Sequence, residues 1–372
     1  MSDVQKFSDM DISKELLQAL EKQGLSRPTT IQREAIPIMM EGGNLIAKAP
    51  TGTGKTFAFG IPLLEYLNMQ EKRVQNIILC PTRELALQIR EEIKNLGQFI
   101  KGFKVVALIG GQSMGKQILD LKKNPQIVIA TPGRLLDHIQ RKNIDISYVY
   151  TVVLDEADEM LSMGFIKDIR QIMDATPKDK QVALFSATLS REVMDISWQY
   201  IQNAKEIEVT PHKEDLPQIR QFLVSIPEKD KDRILVQIME ENELGRVIVF
   251  CNTKNRVEKL TRHLQGLGLK ADCLHGDIPQ RLRNRIMDSF RQHEFPILIA
   301  TDVAARGIDV EDVDGVFNFD VPSENEYYLH RIGRTGRAKK KGMAFTLMSY
   351  MEKARMEEIL RYTHVEIEEL EF

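Results

Sequence analysis

The chain of 372 residues alternates short apolar runs with longer segments whose apolar residues recur at helical spacing. In the first half, the short apolar runs cover residues 44–47, 76–79, 105–109, 127–129, 152–154 and 182–185. Short runs without polar alternation are typical of strands buried on both faces of a parallel sheet. Intervening segments such as residues 85–96 carry the helical spacing, so the pattern predicts an α/β, doubly wound parallel sheet.

The alternation restarts in the second half, with apolar runs at residues 247–250, 271–274, 297–299, 316–319 and 344–347. Residues 210–215 lie between the two series, are polar, include a proline and lack an apolar period, as is typical of a linker. We therefore predict one α/β domain over residues 1–209 and a second over residues 216–372. Polar or glycine-rich clusters follow nearly every predicted strand. Open α/β sheets bind their ligands at these carboxyl ends of the strands. We expect a functional edge on each domain and a site shared between them.

Composition narrows the classes of protein that fit this pattern. With 51 basic and 54 acidic side chains the net charge is −3, which excludes a generally basic, histone-like binding mode but allows a local basic groove. The three cysteines are widely spaced, so we expect a reducing compartment and no disulfide framework. No apolar run reaches the ~20 residues of a membrane span. We expect a cytoplasmic protein, with Trp198 and the methionines filling the core.

Residues 49–56, Ala-Pro-Thr-Gly-Thr-Gly-Lys-Thr, match a phosphate-binding loop. Such a loop points successive backbone N–H groups at an anion, and Gly52 and Gly54 let the backbone approach closely. Lys55 is expected to reach the outer phosphates, and Thr56 to offer its hydroxyl to Mg²⁺. A chance glycine-rich turn is the alternative, but the position between an apolar strand and a helical segment favours phosphate binding.

Asp155 and Glu156 directly follow the predicted strand at residues 152–154. Hydrolysis of a nucleoside triphosphate needs a carboxylate for Mg²⁺ and a polar group for the attacking water, and these two residues fit those roles. The acids could instead mark a solvated helix start. Arg334 and Arg337, in a glycine-spaced basic segment, are candidates for stabilising charge on a transferred phosphoryl group, whereas residues 339–341 fit a solvated basic loop.

The chain resembles the DEAD-box family of ATP-dependent RNA helicases over almost its whole length. Asp-Glu-Ala-Asp at residues 155–158 is the naming motif, and residues 49–56, 81–86, 131–134, 186–188, 300–309 and 330–337 carry further motifs in family order. The resemblance implies two tandem RecA-like domains, with ATP and Mg²⁺ bound by domain 1. Leu25, Thr30 and Pro50 depart from the usual family residues, but none of these changes removes a ligand.

Further roles are implied by the resemblance alone. Gln32 would read adenine, since an amide both donates and accepts, and Phe7 would stack on the base, although Phe7 could equally be a packing aromatic. The remaining nucleotide contacts would come from Arg27, Thr51, Thr53, Gly307 and Asp309. Coupling between hydrolysis and domain closure would use Asp158, Ser186, Thr188 and His330.

RNA would follow the strand ends of both domains. The implied contacts are Pro81, Thr82, Arg83, Gly110, Gly111, Thr131, Gly133 and Arg134 in domain 1, and Thr253, Gly276, Asp277, Gln280, Arg283, Thr301 and Arg306 in domain 2. Glycine, threonine and arginine suit phosphates and sugars and carry no base code, so we expect binding without sequence preference. A 2′-hydroxyl reader is not visible in the sequence.

The sequence thus predicts a monomeric, RNA-dependent ATPase in which ATP and RNA close the two domains and locally unwind a duplex without processivity. The alternative is an ATP-gated RNA clamp that nucleates ribonucleoprotein assembly and unwinds little. A processive DNA translocase fits the motifs less well.

Overall fold

The structure, a computed structural model, describes residues 6–50, 52–209, 219–305, 313–336, 342–363 and 365–372. The chain divides into two compact units, Met1–His212 and Lys213–Phe372, here unit 1 and unit 2. Within the described ranges, no helix is both long enough and apolar enough to cross a membrane.

Unit 1 is built on a parallel sheet of seven strands in its described part. The strands are β1 (Leu45–Lys48), β2 (Asn76–Leu79), β3 (Val105–Leu108), β4 (Ile127–Ala130), β5 (Thr151–Asp155), β6 (Gln181–Ser186) and β7 (Lys205–Glu208). Their order across the sheet is β3-β4-β2-β5-β6-β1-β7, and each neighbouring pair is parallel. Parallel pairing requires a crossover after each strand, and the helices supply these crossovers.

The helices of unit 1 cover both faces of this sheet. After a short 3₁₀ helix at Phe7–Asp9, they are α1 (Lys14–Lys22), α2 (Thr30–Met40), α3 (Lys55–Glu65), α4 (Arg83–Leu96), α5 (Met114–Leu121), α6 (Pro132–Gln140), α7 (Ala157–Ser162), α8 (Ile166–Ala175) and α9 (Arg191–Tyr200). Successive strand residues enter opposite apolar layers, as Val152 and Val153 do, so both faces are buried.

Unit 2 repeats the design. Its strands are β8 (Ile219–Ser225), β9 (Val247–Phe250), β10 (Ala271–Leu274), β11 (Ile297–Ala300), β12 (Gly315–Asn318), β13 (Gly342–Met348) and β14 (Glu368–Leu370), in the order β10-β11-β9-β12-β13-β8-β14. All neighbouring pairs are parallel. Phe222, Phe345 and Phe317 stack across three adjacent strands, with ring centroids 4.9 and 5.1 Å apart.

The helices described in unit 2 lie between successive strands. They are α10 (Lys231–Glu241), α11 (Lys254–Gly266), α12 (Gln280–Arg291), α13 (Asp302–Ala305), α14 (Asn325–Ile332) and α15 (Lys353–Thr363), with 3₁₀ turns at Glu228–Asp230 and Tyr350–Glu352.

The predicted fold class of two doubly wound parallel-sheet domains is confirmed. Strands β7, β8 and β14 were not predicted from the sequence. Their polar residues hide the apolar signal, and β7 is mostly exposed at the sheet edge. The prediction that Trp198 fills the core is wrong, because its side chain is 71% exposed on α9. The predicted linker falls on residues 210–215, which lie outside the described residues.

A buried arginine ties together several elements of unit 2. Arg331, on α14, is 1% exposed. Its guanidinium donates to both carboxylate oxygens of Asp302 at 2.6 and 2.8 Å and to the Asp320 carbonyl at 2.7 Å. It also donates to the side-chain oxygens of Asn252 at 2.7 Å and Asn318 at 3.3 Å. These five bonds use all five of its N–H donors, so the group is fully satisfied without water.

Replacing Arg331 by Met should cost unit 2 about 3–5 kcal/mol, because the Asp302 carboxylate, only 12% exposed, then loses its charged partner. Hydrogen exchange of the β9 and β12 amides would report the opening free energy of this unit. As a control, Arg291→Met removes an exposed pair with Asp288 and should cost at most about 1 kcal/mol. Equal losses in the two variants would contradict the structural role of Arg331.

Candidate functional site

Two glycines lead from β1 into the amino end of α3. Gly52 and Gly54 have φ of +83° and +89°, a region that other residues rarely adopt. A Cβ atom at Gly54 would also lie 2.5 Å from the side-chain nitrogen of Gln32. Glycine at position 54 is therefore required both by the backbone and by the space available. Thr51 lies outside the described residues.

The lysine and the threonines of this loop are held close to it. Lys55 is buried and its Nζ donates to the Ala49 carbonyl at 3.3 Å. The Thr53 hydroxyl donates to the Pro50 carbonyl at 2.9 Å. Thr56 is half-buried in the first turn of α3. An anion at the amino end of α3 would meet free backbone N–H groups and the lysine ammonium.

Gln32 connects the start of α2 to the same loop. Its Oε1 accepts from the Thr29 N–H at 2.9 Å, and its Nε2 donates to the Gly54 carbonyl at 3.0 Å. One N–H and one lone pair of the amide remain for an adenine edge. Arg27 is exposed nearby in sequence, whereas Phe7 is 3% exposed in the apolar core. That burial fits the packing alternative for Phe7, and its stacking on adenine stays a prediction.

The end of β5 carries the two predicted acids. Asp155 is buried, and burial raises the pKa of its carboxyl to about 7, while the Lys55 charge lowers it and the Glu156 charge raises it. Its Oδ1 accepts from the Glu156 N–H at 3.0 Å. Glu156 has φ of +51°, an uncommon conformation for a side-chain-bearing residue, and such strain clusters at functional sites. A cation beside Asp155 would favour its ionised form.

Asp158, Ser186 and Thr188 form one hydrogen-bonded cluster. The Asp158 Oδ2 accepts from the Thr188 N–H at 2.8 Å and from the Thr188 hydroxyl at 2.9 Å. The Asp158 N–H donates to the Ser186 hydroxyl at 3.2 Å. The acidic segment after β5 and the end of β6 are thereby joined by three hydrogen bonds.

These groups share one half of the carboxyl edge of the unit 1 sheet, since β5, β6 and β1 are neighbours. The Thr56 hydroxyl and the Asp155 carboxylate are hard oxygen donors. Mg²⁺ typically takes one or two such protein ligands and completes its shell with water and phosphate oxygens. The residues present therefore fit a magnesium–nucleotide complex.

The other half of that edge, at the ends of β2, β4 and β3, carries the predicted RNA contacts of unit 1. Thr82 caps α4 by accepting from the Leu85 N–H at 3.2 Å, while Pro81 is buried beside it. Arg83 lies against Gly110, where an added Cβ would meet the guanidinium at 3.1 Å. The other predicted contacts, also at these strand ends, are Gly111, Thr131, Gly133 and Arg134.

The predicted contacts of unit 2 likewise follow its strands. Thr253 caps α11, and the neighbouring Lys254 pairs with Asp277 at 2.5 Å. Arg283 donates to the Ala304 carbonyl at 2.5 Å. The remaining described positions are the exposed Gly276 before α12, Gln280 at the first residue of α12, and Thr301 after β11. Arg306 lies outside the described residues.

The basic segment after α14 is described up to residue 336. Arg334 is partly buried, and its Nε donates to the His330 carbonyl at 3.3 Å. Arg337, Gly307 and Asp309 lie outside the described residues. The sequence did not single out Arg331, because its burial depends on acceptors that are distant in sequence. Gln117, beneath the unit 1 edge, was not singled out either, because the donors to its oxygen, Arg134 and His138, lie 17 and 21 residues away.

Comparisons with known proteins identify the family of the chain. The DEAD/DEAH box helicase family model matches residues 29–196, and the helicase conserved C-terminal domain model matches residues 230–339. The DEAD-box ATP-dependent RNA helicase CshA of Bacillus licheniformis is 43% identical over 357 residues, or 96% of this chain and 73% of that protein.

Two solved structures are similar over nearly the whole chain. S. cerevisiae Dbp5 bound to RNA and ADP BeF3 is 32% identical, with a TM-score of 0.90 over 99% of this chain and 96% of that one. A DEAD box protein from the hyperthermophile Methanococcus jannaschii is 40% identical, with a TM-score of 0.57 over 98% and 99% of the two chains. The chain therefore belongs to the DEAD-box family of ATP-dependent RNA helicases.

Proposed function

We propose that this protein is an RNA-dependent ATPase that closes its two domains on RNA and unwinds short duplexes locally, without processivity or sequence preference. The observation that carries the proposal is the division of one sheet edge in unit 1. The phosphate loop and the acids occupy the ends of β1, β5 and β6, and the Thr, Gly and Arg segments occupy the adjoining ends of β2, β4 and β3. Family membership supports the same function.

At the nucleotide half, the backbone N–H groups of residues 52–56 and the Lys55 ammonium bind the phosphates of ATP. Thr56 and Asp155 would hold Mg²⁺, which neutralises charge on the phosphates. Glu156 orients the attacking water and accepts its proton. Arg334 and Arg337 stabilise charge on the transferred phosphoryl group, and Gln32 reads adenine.

At the RNA half, hydroxyl, guanidinium and glycine N–H groups contact phosphates and sugars, which is why no base sequence is preferred. The cluster of Asp158, Ser186 and Thr188 supports coupling, because it joins the segment that carries Glu156 to the end of β6. Since ATP and RNA bind the same closed form in this scheme, each raises the affinity for the other.

We also propose that the protein acts as a monomer in the cytoplasm. Both the phosphate loop and the basic segment belong to one chain, so a second copy is not needed to complete the site. Cys80, Cys251 and Cys273 are free thiols, as is usual in a reducing compartment.

The first test is steady-state ATP hydrolysis with and without single-stranded RNA. Wild-type turnover should rise with RNA, and Glu156→Gln should lower it by about 10²–10⁴-fold, because general-base catalysis is worth that factor. Glu192→Gln, which makes the same charge change at an exposed position of α9, should leave turnover unchanged. If RNA does not change the rate of ATP hydrolysis but RNA binding still requires ATP, the result would instead favour an ATP-gated RNA clamp.

The coupling cluster makes a separate prediction. Thr188→Val removes the hydroxyl bond to Asp158 at nearly constant side-chain volume. The rate of duplex unwinding should fall at least about tenfold, which corresponds to the free energy of one hydrogen bond to a charged acceptor. RNA-stimulated ATP hydrolysis should change less than unwinding. The control is Thr176→Val. It removes a buried hydroxyl bond to the Met173 carbonyl at the carboxyl end of α8, away from the cluster. A parallel loss of hydrolysis and unwinding in Thr188→Val would argue against coupling through this cluster.

A further inference from the structure

We propose that Gln117 and His138 are positioning residues for RNA binding: together they hold residues 109–112, here the glycine loop, in the conformation that binds the RNA backbone. The proposal rests on the proposed function, because it concerns the RNA half of the unit 1 edge. Neither residue is itself expected to touch RNA or nucleotide, since Gln117 is 1% exposed and His138 is fully buried.

Gln117 lies on α5, directly beneath the glycine loop. Its Nε2 donates to the Ile109 carbonyl at 2.8 Å, and its Oε1 faces two donors. These are the His138 Nε2 at 2.9 Å and the Arg134 guanidinium at 3.3 Å. The same guanidinium nitrogen of Arg134 donates to the Gln112 carbonyl at 3.1 Å. The carbonyls at both ends of the glycine loop are therefore held by one connected group of side chains.

The direction of these bonds is determined by the donors and acceptors available. Because the Ile109 carbonyl can only accept, the nitrogen of the Gln117 amide must face it, and the amide oxygen must face His138. His138 then donates from Nε2, which leaves Nδ1 to accept from the Asn143 side-chain nitrogen at 3.4 Å. Burial lowers the pKa of His138, and the Arg134 charge lowers it further, both of which favour this neutral form.

The glycine loop needs external support because it has little of its own. Gly111 has φ of +77°, and neither glycine has a side chain that could hold the backbone in place. A loop that must order on binding RNA would lose affinity to the entropy of ordering. With Ile109 and Gln112 anchored from below, the glycine N–H groups stay in position for phosphate oxygens. Loss of the hydrogen bonds to Ile109 and Gln112 should therefore weaken RNA binding. The rate of ATP hydrolysis once RNA is bound should not change.

The test is Gln117→Glu, which has the same shape but loses the N–H donated to Ile109. ATP hydrolysis would be measured at saturating ATP while single-stranded oligouridylate is titrated. The half-saturating RNA concentration should rise about tenfold, as expected when a buried acceptor loses its donor. The turnover number at saturating RNA, the KM for ATP and the hydrolysis without RNA should stay within about twofold of wild type.

Gln126→Glu is the matched control. Gln126 is also a buried amide of unit 1, accepting from the Lys104 N–H at 2.9 Å, but it precedes β4 at the opposite edge of the sheet. Thermal unfolding of both variants would show that they fold. An equal rise in half-saturating RNA in the two variants, or no rise in Gln117→Glu, would overturn the positioning role. A wild-type enzyme that RNA does not stimulate would instead overturn the proposed function.

A second pair of variants tests His138 directly. His138→Gln retains an N–H that can reach the Gln117 oxygen and should keep the half-saturating RNA concentration within about threefold of wild type. His138→Leu cannot donate and should raise it by about tenfold, again without a change in turnover at saturation. Wild-type RNA dependence in His138→Leu would show that the histidine does not position the loop.

Discussion

Parallel pairing of the strands is the constraint on which the rest of each unit depends. Every strand in a parallel sheet points the same way, so every strand-to-helix turn forms at one edge. That edge collects helix amino termini and their unpaired N–H groups, which suit anions. A chain that must bind both nucleotide phosphates and an RNA backbone can therefore use one sheet edge for both. The side chains in each strand-to-helix turn then determine which of the two ligands that turn suits.

The turns in unit 1 differ in the charges that they carry. Those after β1 and β5 bring a lysine and a buried carboxylate together, where burial raises the pKa of Asp155 to about 7. Such a carboxylate is costly to ionise in the isolated protein and gains most from a nearby cation. The turns after β2 and β3 carry Arg83 and Gly110, which lie against each other. The uncommon backbone conformation of Glu156, with φ of +51°, lies in the turn after β5, next to the Asp155 carboxylate.

The sequence was most informative where the chemistry depends on neighbours in the chain. The phosphate loop, the pair Asp155 and Glu156, and most buried strands could be read from short patterns, because glycine, charge and apolar runs act locally. Strand β7 could not, since it lies exposed at the sheet edge and its residues are mostly charged. Trp198 lies off the buried face of α9, which Val193, Ile196 and Ser197 form, so the apolar character of the side chain alone gave a wrong prediction.

Sequence patterns did not reveal Gln117 and Arg331 for another reason. Both residues donate hydrogen bonds to backbone carbonyls of the turns at the sheet edges. The backbone of a binding turn must leave its N–H groups to the ligand, so its carbonyls have to be satisfied from the protein side. Side chains with N–H donors are suited to this: a guanidinium only donates, and an amide donates from its nitrogen while its oxygen accepts from another group. Gln32 binds the carbonyl of Gly54, Gln117 that of Ile109, and Arg331 that of Asp320. The three donors lie 22, 8 and 11 residues from these carbonyls, and no local pattern marks them, so only the fold reveals that buried polar side chains, rather than apolar packing, shape these turns.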